Sequence, residues 1–247
     1  MQPAKTTNFI YGRHPIFDAI ESGAQLDKVF LQLGTRGDLE KEVRRLCGIH
    51  DIPLQYVPKE RLHKMVGGNH QGLVAHISII PYYRLEDVVP GIYEKGEIPI
   101  LLLLDRVTDV RNFGAIARSA EVCGAHALVV PRTESALITA DAIKTSAGAL
   151  TRINVCREKS LVTAIEFLQN SGIQVFASDL KAEPYLFDLD LSVPVAMVVG
   201  AEDEGVHPSL LSRSDQRFRI PQQGGTDSLN VSVAAGIMLY EVLRQRH

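Results

Sequence analysis

Cysteine is scarce. Cys47, Cys123 and Cys156 are the only three in 247 residues, odd in number and without any C-x-x-C spacing. That pattern argues against a disulfide framework and a zinc site, and fits a reducing cytoplasm. Long apolar runs are missing too. Ile98–Leu104 and Val193–Ala201 fall far short of the ~20 residues a bilayer crossing needs, and the opening MQPAKTTNFIYG has no apolar signal core. A cytoplasmic protein without a membrane partner is expected. Neither G-x-G-x-x-G nor G-x-x-x-x-G-K-[ST] occurs, and no G-x-S-x-G elbow surrounds Ser228. Standard dinucleotide, nucleoside-triphosphate and hydrolase sites are therefore not supported. No charge dominates: the net value is −3, which gives no whole-chain sign of nucleic acid. Residues 1–80 are mildly basic, with ten Lys/Arg against eight Asp/Glu, a weak pointer to a polyanion.

What is present is the composition of an ordinary globular protein, 45% hydrophobic and 22% charged. The length allows one large domain or two smaller ones. Pro81, Pro90, Gly91 and Gly96 interrupt residues 81–97, which predicts a linker there. Residues 1–80 alternate short helices and strands in a small α/β unit. Residues 98–247 alternate helices with apolar strands such as Ile100–Leu104 and Val195–Val199. That is the pattern of a mostly parallel sheet covered on both faces.

In an open parallel sheet, ligands bind beyond the carboxyl ends of the strands, which singles out three loops. In the first, DRVTDVRNFGAIARSAEVCGA, Asn112 is expected to cap a helix whose core stripe is Phe113, Ile116, Ala117 and Ala120. Arg118 points off that stripe, either as a surface residue or as a fork for phosphate oxygens. In the second, GAEDEGVHP, Gly200 would let a ligand approach the backbone. Glu202, Asp203 and Glu204 crowd carboxylates there, as a solvated turn or, with Asp105 or Asp109, as a hard-cation site. His207, beside Pro208, is read as structural. The third is GGTDSLNVSVAAGIMLYEVLRQR, where Ser228 or Asp227 is expected to cap the last helix. Free N–H groups at the start of that helix favour a polar or anionic ligand. The helix is apolar nearly all round, so it belongs in a core or an interface.

Taken in order, these loops resemble the three motifs of the SpoU family of RNA ribose 2′-O-methyltransferases. NFGAIARSAEVCGA carries Asn112 and Arg118, VVGAEDEGVHPSLL carries Glu202, and IPQQGGTDSLNVSVAAGIMLYEVLRQR carries Ser228 and Asn230. The front half, from IYGRHPIFDAI to GNHQGLVA, resembles the family's ribosomal-protein-like substrate-binding domain. The resemblance implies an RNA-binding domain over 1–80, a linker over 81–97 and a methyltransferase domain over 98–247. That last domain would have the SPOUT fold, an α/β sheet with its C-terminal segment threaded into a trefoil knot, although threaded chains are very rare.

The resemblance further implies a homodimer with the active site at its interface and no metal. S-adenosylmethionine would be held largely by backbone groups at Gly200, Ile220 and Leu229. Its methyl group would pass to a ribose 2′-hydroxyl of RNA, a guanosine of large-subunit ribosomal RNA first and transfer RNA second. A non-catalytic RNA-binding relative is the alternative. Arg118, Asn112, Glu202, Ser228 and Asn230 are the implied catalytic residues, with Arg118 the family's base. A guanidinium with pKa above about 12 suits a phosphate clamp that stabilises developing alkoxide better than a base. Arg13, His14, His70 and Gln71, in the family-like segments of the front half, are the expected RNA contacts.

Overall fold

The computed structural model describes residues 8–225 and 228–247, and the chain divides into two compact units, residues 1–81 and 82–247. The first unit runs β1 (Phe9–Tyr11), α1 (Arg13–Glu21), β2 (Leu26–Gln32), α2 (Asp38–Ile49), β3 (Leu54–Val57), α3 (Lys59–Met65) and β4 (Leu73–Ile77). Its strands form one mixed sheet in the order β1-β4-β2-β3, with β3 parallel to β2 and β4 antiparallel to both neighbours. Ile16 and Ile20 of α1 and Val43 and Leu46 of α2 bury their side chains with Val29, Leu31, Leu73 and Ala75 of the sheet. A polar pair lies inside the unit as well. Asp27 and His76 meet at 2.6 Å with both side chains almost fully buried, and the Phe9 ring stands edge-on to His76.

The second unit runs α4 (Leu85–Glu94), β5 (Ile100–Leu104), α5 (Val110–Val122), β6 (Ala127–Pro131), α6 (Ala140–Thr145), β7 (Asn154–Glu158), α7 (Leu161–Asn170), β8 (Gln174–Ser178), β9 (Val195–Val199), α8 (Pro208–Leu211), β10 (Gln216–Phe218) and α9 (Val231–Arg246). Its six strands are parallel throughout, in the order β10-β8-β9-β5-β6-β7. Every residue of β5 and β9 is buried, which is why both read as unbroken apolar runs rather than alternating ones. The order turns about β5: β6 and β7 are laid to one side, and β9, β8 and β10 to the other. Such a reversal leaves a crevice beyond the carboxyl ends of the two strands where it occurs. Here those are β5 and β9.

One expectation needs correction. The segment 81–97, expected as a linker, contains α4, with Leu85 and Val89 in the core of the second unit. Pro90 sits on the exposed side of that helix, where a missing N–H is most easily tolerated. The Glu158 carboxylate accepts from the Leu85 amide at 2.9 Å and fixes the helix entry. The last helix, expected in a core or an interface, is partly covered within one chain. Val231, Ala235, Met238, Leu239 and Val242 are buried, whereas Val233, Ile237 and Tyr240 are 50%, 38% and 62% exposed. Its far end is tied down, with Arg246 donating to the carbonyls of Ile98, Pro99, Leu191 and Val193.

The Asp27–His76 pair gives a direct check on the first unit. Replacing Asp27 with Ala leaves a buried imidazole without its carboxylate, a loss of about 2 kcal/mol. Urea unfolding should show the midpoint of the first unit falling, with His76→Ala adding little in the double variant.

Candidate active site

Three segments meet where the crevice opens. The first is the start of α5. Asp109, not Asn112, caps this helix, its carboxylate accepting from the amides of Arg111 and Asn112 at 2.9 and 2.8 Å. Asn112 therefore lies in the first turn with its side-chain amide free for other use. The second segment is the turn after β9. An added Cβ at Gly200 would stand 2.0–2.1 Å from the Gly205 and Val206 backbone, so the chain folds back directly onto this residue. The fold-back explains why this position takes no side chain, and the residue also lines the cavity described below. The fold-back is sealed by the Gly205 amide donating to the Ala201 carbonyl at 2.9 Å.

The third segment is the start of α9. Asn230 caps it, its Oδ1 accepting from the Ser232 amide at 3.0 Å. The expected caps were Ser228 or Asp227. Ser228 is exposed two residues upstream, and Asp227 lies outside the described residues. With its oxygen spent on the cap, Asn230 donates through Nδ2 to Asn112 Oδ1 at 3.1 Å and to Glu202 Oε1 at 3.2 Å. Asn112 in turn donates through Nδ2 to Glu202 Oε2 at 3.3 Å. Asn112, Glu202 and Asn230 thus close a ring of three side chains from three loops.

Beside this ring lies a cavity of about 560 Å³. Gly200, Ile220 and Leu229 all line it, together with Glu202 and Ser228. Asn112, Asn230 and Arg118 do not stand on its described wall. Arg118 is exposed and makes no hydrogen bond or ion pair among the described residues. It lies six positions after Asn112 on α5, about 600° of helical turn, so the two leave the helix on different sides.

Several residues of the site had no obvious sign in the sequence. Arg106 donates to both Asp105 oxygens, to Glu204 and to the Gly205 carbonyl. The Asp105 hydrogen bond holds its guanidinium above the usual value against the opposing effect of burial. Arg219 lines the cavity, and its Nε is buried without a partner among the described residues. Its guanidinium lies over the Tyr185 ring at 4.6 Å. The acidic residues do not gather as a cation site. Asp105 and Glu204 are paired with Arg106, Asp109 is a cap, and no three His, Cys, Asp or Glu side chains converge among the described residues.

In the first unit, Arg13 is exposed and paired with Glu42 at 3.4 Å, and its amide donates to Gln71 Oε1 at 3.4 Å. His14 is exposed. His70 is only 3% exposed, so it is not placed to touch RNA. Its Nδ1 accepts from the Gly72 amide at 3.0 Å, and its ring packs edge-on against His63.

With this geometry established, comparison with known proteins is informative. Residues 99–240 match the model of the SpoU rRNA methylase family, and residues 9–83 match that for RNA 2′-O ribose methyltransferase substrate binding. YacO of Bacillus subtilis (strain 168), named for the TrmH family of tRNA/rRNA methyltransferases, is 33% identical over 97% of this chain and 96% of its own. A tRNA/rRNA methyltransferase of Mycolicibacterium paratuberculosis, itself uncharacterized, is 35% identical over 99% of this chain and 81% of its own. Among solved structures, an RNA 2′-O ribose methyltransferase superposes with a TM-score of 0.56 at 27% identity, covering 96% of this chain and 88% of that one. The SpoU methyltransferase AviRb from Streptomyces viridochromogenes, crystallised with AdoMet, shares the fold with a TM-score of 0.61 at 24% identity, covering 96% and 90%. The chain belongs to the SpoU rRNA methylase family and is a methyltransferase of that family.

His70 makes the first unit sensitive to acid. Burial lowers its pKa below the ordinary 6.5, with the charges of His63 and Lys59 adding to the effect. The unfolded chain then binds a proton that the folded chain refuses, so stability is full above pH 6.5 and falls as pH drops below it. Denaturant titrations from pH 7.5 to 5 should show that fall, and His70→Gln should flatten it. An unchanged slope in the variant would remove His70 as the cause.

Proposed function

We propose that this chain transfers the methyl group of S-adenosylmethionine to a ribose 2′-hydroxyl of RNA, with a guanosine of large-subunit ribosomal RNA as first substrate and transfer RNA as second. The single observation that carries the proposal is the ring of Asn112, Glu202 and Asn230 beside the cavity lined by Gly200, Ile220 and Leu229.

The cavity suits that methyl donor. Its volume falls in the range of roughly 300–1,000 Å³ usual for such ligands, and its wall mixes apolar residues such as Val199, Val206 and Phe218 with polar ones such as Asp179 and Gln222. The orphaned Nε of Arg219 offers a buried donor to a polar group of the ligand. Gly200, Ile220 and Leu229 would hold the donor through backbone groups. When bound, it supplies an electrophilic methyl group on a sulfonium that leaves readily. The protein's own task is then alignment and charge control. Glu202 holds both asparagine amides in place, and Ser228 stands on the cavity wall with its hydroxyl available to a ribose. Arg118 keeps its donors free, forks onto the neighbouring phosphate and stabilises the developing alkoxide, while the hydroxyl proton is relayed to solvent water.

A homodimer belongs to the same proposal. Val233, Ile237 and Tyr240 recur at i, i+4 and i+7 along the exposed side of α9, an apolar stripe suited to a second copy. Because Arg118 stands off the cavity wall of its own chain, it serves the cavity of the other copy. The threaded C-terminal segment is part of this reading as well. β10 is at the sheet edge, yet the helix that follows it in sequence packs back against α5 and β9, as the threaded reading requires.

Mapping of 2′-O-methyl positions in total RNA, with and without the protein, tests the reaction and identifies the nucleotide. No protein-dependent position would end the proposal. Arg118→Ala should lower turnover about 100-fold while leaving S-adenosylmethionine binding intact by calorimetry. Mixing Arg118→Ala with Glu202→Gln should restore about a quarter of wild-type activity through mixed dimers with one complete site. Activity no greater than that of either variant alone would place Arg118 in its own chain's site or outside the site altogether.

A further inference from the structure

Arg106 adopts a backbone conformation that side chains other than glycine seldom take, with φ at +55°. Such a residue persists where surrounding contacts fix it, and outliers of this kind gather at functional sites. Here the contacts are made by its own guanidinium. Nε and Nη2 grip the two Asp105 oxygens at 3.3 and 3.2 Å, Nη1 reaches Glu204, and Nη2 also donates to the Gly205 carbonyl at 3.0 Å. Asp105 is 5% exposed and accepts from the His207 amide at 2.8 Å. The pair therefore holds residues 204, 205 and 207 of the turn after β9. Glu202 lies within that turn, two residues before Glu204.

The geometry points to Arg106 as a positioning residue that presents Glu202 to Asn112 and Asn230. It does so in two ways. It closes the turn from beneath, and it occupies the Glu204 carboxylate, which otherwise competes with Glu202 for the asparagine amides. Its role in the reaction rests on the function proposed above and runs only through Glu202.

Arg106→Gly separates positioning from plain support of the fold, because it removes the guanidinium and relieves the positive φ together. The expected result is a fall in kcat of about tenfold, with KM for RNA and the S-adenosylmethionine Kd within about twofold of wild type. In a Glu202→Gln background the same substitution should change nothing further, since a residue acting through Glu202 has nothing left to act on. Arg106→Lys should recover part of the loss. Wild-type kcat in Arg106→Gly overturns the inference, as do losses that multiply in the double variant. Amide exchange provides a readout independent of RNA: the Gly205 and His207 amides should exchange faster in Arg106→Gly. Unchanged exchange refutes the clamp even where methyl transfer is confirmed. A wild-type chain that methylates no RNA, with exchange responding as expected, overturns the proposed function and leaves the clamp standing.

Discussion

Glu202 has two carboxylate oxygens, and each takes an amide proton from a different stretch of chain. Asn112 comes from the start of α5 and Asn230 from the start of α9, 118 residues later. The asparagines also bond to one another, so the three loops cannot shift independently. Asn230 is the most heavily used member. Its oxygen accepts from both the amide and the hydroxyl of Ser232, while its nitrogen supplies the ring. One side chain thus starts a helix and completes the polar cluster. A replacement that caps equally well, such as serine, satisfies the first role and forfeits the second.

Much of the fold could be read from the sequence, because burial writes itself into periodicity. The runs Ile100–Leu104 and Val195–Val199 are apolar at every position, and both are central strands with two covered faces. Where the reading failed, a local pattern had two physical meanings. Asp109 and Asn112 are equally plausible caps three residues apart, and only the positions of Glu202 and Asn230 decide between them. Pro90 and Gly91 look like a break, yet burial of Leu85 and Val89 carries a helix through them. Gly200 suggested close approach, and the backbone of Gly205 fills the place of its missing side chain, a contact that no local pattern announces. Arg106 was illegible for another reason. Its partner Glu204 lies 98 residues away, and nothing nearby in the sequence signals a left-handed arginine.

The cavity shows the same limit from the other side. Its wall is drawn from the ends of β8, β9 and β10 and the start of α9, with glycine, isoleucine and leucine at the positions singled out. Main-chain groups recognise a ligand through the path of the backbone, and many sequences follow the same path. A search for charged or glycine-rich signatures therefore passes over such a site, whereas the strand order about β5 locates it directly. Charged side chains stand on that wall as well, among them Lys181, Glu202 and Arg219, the last lying over Tyr185 with its Nε unpartnered among the described residues.

The last helix connects these parts mechanically. Sixteen residues at about 1.5 Å each give a strut of about 24 Å. One end is fixed by Asn230 in the polar ring, and the other by Arg246 on the carbonyls of Ile98 and Pro99, just before β5 begins. The strut therefore spans the sheet from the strands' starts to their carboxyl ends. Its amino end carries the positive pole of the helix dipole, which favours negative charge developing nearby, such as alkoxide. With one face locked into the core and both ends bonded, sliding α9 would break contacts at the site and at the far edge together. Displacing Asn230 thus requires loosening the sheet itself, and a polar ring at the chain's surface acquires the rigidity of the interior.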